Sequence, residues 1–170
     1  KKFINDFNQK NLIFNHNYQI VTLPPSYQSF CKIVPPQKVP RRGFNTPLKK
    51  ATLIHAIVHI EYSAIDLAFD ACYRFRNMPM QFYKDWIEVA DDEVRHFEML
   101  HSILKEVGFE YGDIEVHNSL WQAAQKTPTL LTRMAIVPRW LEANGLDANE
   151  QIIEKLKNYK DDIIAKKLID

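Results

Sequence analysis

Residues 82–107 read FYKDWIEVADDEVRHFEMLHSILKEV. Phe82, Trp86, Val89, Glu93, His96, Leu100, Ile103 and Val107 recur in this stretch at alternating spacings of four and three. Side chains so spaced superimpose along one face of an α-helix. The stretch therefore predicts a long core-facing helix, opened by the Met78-Pro79 turn and stopped by Gly108. Two members of the stripe, Glu93 and His96, are polar, and they project to the same side. A buried carboxylate and imidazole are unfavourable without partners, and a metal ion would supply that compensation.

Upstream, Thr46-Pro47 is a helix start, with Thr as cap and Pro in the first turn. No Pro or Gly interrupts residues 48–77, which predicts a first long helix to about Met78. Its apolar stripe, Ile54, Ile57, Glu61, Ala64, Ile65, Ala68 and Cys72, is again broken by a carboxylate. Downstream, residues 109–117 read as a loop and Ser119–Lys126 as a short helix. Thr127-Pro128 repeats the Thr-Pro start, and a third main helix runs to Ala143 or Asn144, bent at Pro138. Leu131, Met134, Ala135, Pro138 and Glu142 form its inward side. A charged helical segment then opens at Asp147 or Asn149.

Six of the nine prolines fall within residues 1–47. That stretch cannot be long regular helix, yet its large apolar residues argue against disorder. The expectation is an extended proline-rich N-terminal arm, residues 1–46, packed on an all-α helical bundle, residues 47–170. Phe3–Phe14 could add a short helix.

The 170 residues suffice for one domain with a core. A net charge of +1 gives no global field that would suggest nucleic acid. No uninterrupted apolar run near the ~20 residues of a membrane span is expected, and no signal peptide is seen. Cys31 and Cys72 read as reduced thiols, and localisation is expected to be cytoplasmic.

Three helices thus bring a carboxylate to a face that should be apolar, and one adds a histidine. The pattern resembles ferritin-like di-metal carboxylate bundles, which take a Glu from each of two helices and Glu-x-x-His from each of the other two. More specifically, His59-Ile60-Glu61 with Ala64-Ile65-Asp66-Leu67-Ala68 forms one motif, and Asp91-Asp92-Glu93 with His96-Phe97 a second. The third is Arg133-Met134-Ala135, Val137-Pro138-Arg139 and Leu141-Glu142-Ala143 with Gly145-Leu146-Asp147. Together they resemble an uncharacterised bacterial family of ferritin-like domain proteins, distantly similar to tRNA hydroxylases. The resemblance spans roughly residues 40–170. It implies Glu61, Glu93, His96 and Glu142 as ligands of iron or manganese, in one ion or two, and it supplies no substrate.

A second Glu-x-x-His is missing, since no histidine follows His117. The fourth helix is expected to break off at Asp170, leaving a site that binds metal weakly or a bundle completed by a second chain, as in a homodimer. Around the ligands, Asp91, Asp92 and Arg95 either orient His96 by hydrogen bonding or form a solvated face. Trp86 and Tyr62 either neighbour the metal or fill the core. His55 and His59 project ~120–160° from Glu61, so contact with a neighbouring element is expected before metal binding, and His101 is expected in solvent. The leading function is a non-haem di-iron or iron–manganese oxidoreductase, with a small or RNA-borne substrate by analogy only. The alternatives are iron handling without turnover, and a helical binding module with an incomplete site.

Overall fold

The computed structural model describes residues 1–11, 17 and 19–137. Among these the regular structure is helical: α1 (Lys2–Asn8), α2 (Pro47–Arg74), α3 (Met80–Glu106) and α4 (Ser119–Gln125). Residues 130–137 begin a further helix, α5. The rest of the expected third main helix, with Pro138 and Glu142, and the charged segment after it lie outside the described residues. The chain divides into two compact units, Lys1–Trp121 and one beginning at Gln122.

In the first unit α2 packs along α3. Thr46 caps α2, its hydroxyl accepting from the Lys49 N–H at 3.3 Å, with Pro47 in the first turn. The helix ends at Arg74, four residues before the expected Met78. The short connection is held by Tyr83, whose hydroxyl donates to the Phe75 carbonyl at 3.2 Å and accepts from the Met78 N–H at 3.2 Å. Because Phe75 is itself buried, tertiary contacts stop the helix before its sequence does. Past α3, Gly108 adopts φ +86°, a left-handed stop suited to glycine.

The buried face of α3 differs from the expected stripe. Tyr83, Ile87, Ala90, Leu100, Ile103 and Leu104 are buried, whereas Val89 is 40% exposed. Leu100 and Ile103 belong to the expected stripe, whereas Tyr83, Ile87 and Ala90 lie one position, or ~100°, round from Phe82, Trp86 and Val89. Both stripes have the same period, and α2 covers its core on the one that includes Ala90.

The N-terminal arm runs against α2 and the 109–117 loop. Tyr27 is fully buried. The Ser26 N–H and Oγ each approach Asp66 at 2.7 Å, and the Val21 N–H donates to Tyr73 at 3.0 Å. Ile33 and Val116 form a parallel bridge, flanked by Val34 N–H to Val116 O (2.8 Å) and Val116 N–H to Lys32 O (3.0 Å).

By length and composition α2 could cross a bilayer, although half of its most apolar window is buried inside the protein. Cys31 and Cys72 are free thiols. In the second unit, Thr129 rather than Thr127 caps α5, accepting from the Thr132 N–H at 3.2 Å. Thr127 is buried and accepts instead from Arg133 Nε at 2.8 Å.

Candidate metal centre

The 4-3 spacing that makes α2 and α3 helical also sets Glu61 opposite Glu93 and His96. One donor atom from each of the three lies within 4.8 Å of the other two. His96 Nδ1 is 3.4 Å from Glu93 Oε2 and 3.7 Å from Glu61 Oε2. Donors bound at roughly 2 Å to one ion sit between ~3 and 4 Å apart, so the cluster is close to ligating geometry without a backbone shift. The Glu61 and Glu93 side chains are 19% and 23% exposed, and His96 is 55% exposed. The cluster lies at the open flank of the α2–α3 seam, with the two carboxylates inward.

Electrostatics favour a cation here. Burial, then a hydrogen bond and charge repulsion from Glu93, pushes the Glu61 carboxyl up to about 8. A carboxyl so placed keeps its proton at neutral pH unless a counter-charge arrives. A divalent ion would displace that proton and satisfy both groups. Two carboxylates and an imidazole form a hard-to-borderline donor set suited to iron or manganese.

The other expected site residues fall elsewhere. Glu142 lies outside the described residues. Asp92 and Arg95, for which contact with His96 was one of two readings and a solvated face the other, form an ion pair with each other. Tyr62 meets Ser26 Oγ at 3.2 Å and packs its ring against Phe97, so its contacts serve the arm and the α3 seam. Trp86 packs on Phe82.

His55 and His59 hold the 109–117 loop. His59 Nε2 contacts the His117 carbonyl at 2.9 Å, so that nitrogen must donate. Its Nδ1 therefore accepts, at 2.8 Å, from the Tyr111 hydroxyl. His55 Nε2 accepts from the Gly112 N–H at 3.0 Å. Burial lowers both imidazoles from 6.5 to about 4, so they are neutral and fixed in tautomer. His101, expected in solvent, instead reaches Glu110 through Nε2 at 2.8 Å. A neighbouring element was expected for His55 and His59; that it is this loop was not legible, the one signal being histidines facing a stretch that contains Gly112.

A family model described as a protein of unknown function, DUF455, matches residues 1–169. A Haemophilus influenzae protein carrying the description "Uncharacterized protein" is 45% identical over 137 residues, covering 76% of this chain and 48% of its own length. The chain thus spans about half the length of that curated relative. No solved structure matches the chain.

Proposed function

The chain belongs to the DUF455 family, and we propose that its Glu61, Glu93 and His96 hold a catalytic divalent metal, iron or manganese, in a ferritin-like helical bundle. The observation that carries this reading is the mutual approach of the three donor atoms to within 4.8 Å, contributed by two helices. The raised Glu61 supports it, because a carboxyl pair without a counter-ion is a poor structural element but a good cation seat. Glu142, outside the described residues, is the fourth donor the resemblance implies. A second ion would need further carboxylate or imidazole donors.

The reaction class that fits this donor set is oxidation of an organic substrate by O₂ or a peroxide, with the bound metal supplying the redox chemistry. The chain's own part is to hold the ion's geometry. Glu61 and Glu93 neutralise its charge from opposite helices, and His96 offers a neutral nitrogen from the more exposed side. That exposure leaves room for a small molecule to approach the ion from the His96 side.

Manganese titration of the purified chain, followed by loss of the free Mn²⁺ magnetic-resonance signal, tests the reading. Saturable binding is expected, weakened at least tenfold by His96→Ala and by Glu61→Gln. Binding that ignores both substitutions would remove the site. Oxygen uptake by the iron-loaded chain with a reductant is then expected, and bound iron that stays ferrous in air would leave a metal site without oxidase chemistry.

A further inference from the structure

A cavity of about 430 Å³ lies between the arm, α2 and α3. Ile65 and Phe69 from α2, and Val94 and Phe97 from α3, make its apolar walls. Its polar end is built by Ser26, Tyr62 and Asp66. The volume is in the range of small-molecule sites, and an apolar body with a few convergent polar groups is their usual make-up. Each donor of the metal cluster has a sequence neighbour in this wall: Glu61 beside Tyr62, Glu93 beside Val94, His96 beside Phe97.

The charge in the cavity is one-sided. Asp66 and Glu98 line it with a single cation, Lys1, whose ammonium contacts Glu98 at 2.6 Å. Asp66 accepts from Ser26 at both oxygens and from the Tyr27 N–H as well. An ionised carboxylate offers about four acceptor positions, so it retains capacity for one more donor. Three aromatic rings, Tyr62, Phe69 and Phe97, border the space, and ring faces attract organic cations. The Lys1 ammonium reaches Glu98 from the exposed rim, a contact that an incoming ammonium would replace.

We propose that this cavity binds a small organic amine, its apolar or aromatic body between Ile65, Phe69, Val94 and Phe97 and its ammonium at the Asp66–Glu98 carboxylates. The inference goes beyond the metal reading and stands on the cavity alone. Every element that forms it belongs to the first compact unit.

The test uses 2-phenylethylamine as probe and phenethyl alcohol as its uncharged counterpart, titrated into the full chain by calorimetry or NMR. Saturable binding of the amine is expected, at least tenfold tighter than that of the alcohol. Glu98→Gln should reduce the amine's advantage. Val94→Trp should fill the cavity and abolish binding of both probes. Asp66→Asn should act like Glu98→Gln more strongly; because Asp66 also anchors the arm, it is read only if its circular dichroism and melting temperature match the parent. Absence of saturable binding, equal binding of amine and alcohol, or amine binding indifferent to Val94→Trp would each overturn the proposal. Glu61→Gln separates the two readings: it should weaken manganese binding at least tenfold and leave amine binding intact.

Discussion

Glu61 is the residue on which proton and metal compete. Its carboxyl is held at about 8 by burial and by Glu93, so below that pH a metal must displace a proton to bind. Apparent manganese affinity should therefore rise with pH, by up to about tenfold per unit below pH 8, and then level off. In Glu61→Gln no carboxyl titrates at this position, so the slope should flatten as the affinity falls. The same substitution relieves the repulsion with Glu93. The metal-free variant should be as stable as the parent or more so, by about 1 kcal/mol in urea unfolding at pH 8, as often happens when a functional charge is removed. A strongly destabilised variant would mean that Glu61 serves the fold.

His55 and His59 carry the opposite kind of shift. Their folded values lie near 4, against 6.5 in an unfolded chain, so the unfolded state takes up protons first as pH falls. Their contribution is fully present above about pH 6.5 and is lost progressively between 6.5 and 4. At ~1.4 kcal/mol per unit the loss is up to about 3 kcal/mol for each. Urea midpoints at pH 7.0 and 4.5 should differ strongly in the parent and less in His55→Gln. Equal differences would show that the Gly112 contact does not depend on a neutral imidazole.

Among the elements, α3 was the most legible. Its run from Met80 to Glu106 matches the expected span almost to the residue, because proline and glycine punctuate both ends. The phase of its buried stripe was not legible. Phe82 and Tyr83, Trp86 and Ile87, and Val89 and Ala90 are adjacent apolar pairs, so period alone cannot say which member faces α2. The small residue decides: Ala90 is fully buried and lets the helices approach, while Val89 is 40% exposed. Ala90→Leu should thus cost about 1–3 kcal/mol through overpacking. Val89→Leu should stay within about 0.5 kcal/mol. A reversal of that order would return the seam to the expected stripe. The convergence of Glu61 with Glu93 and His96 was readable from either phase, since those residues lie near the border of both stripes. The early end of α2 at Arg74 was not, because it depends on the contact between Tyr83 and the Phe75 carbonyl.

For the molecule as a whole, the chain's change of composition near residue 47 marked where α2 begins. It said nothing of what the arm would touch. The arm is anchored on both α2 and the 109–117 loop, and Gly112 sits at their meeting point. It has φ +113°, and a Cβ there would lie 3.3 Å from the Phe30 carbonyl oxygen. Backbone strain and crowding act together, so Gly112→Ala should destabilise by about 1–3 kcal/mol. In hydrogen exchange the Val34 and Val116 amides should lose protection together. Loss at one alone would show that arm and loop open independently.

The Ile33–Val116 bridge also sets an order of events during synthesis. Its two halves are far apart in the chain, and closing so long a loop is slow compared with forming a helical hairpin. A ribosome delivers the arm first, yet Ile33 has no partner until Val116 has left the exit tunnel. The arm's Tyr27 and Cys31, buried in the finished protein, must remain uncovered while α2 and α3 are made. In the nascent protein a segment made before both helices is therefore sheltered only after them, and it offers a chaperone a hold in the meantime.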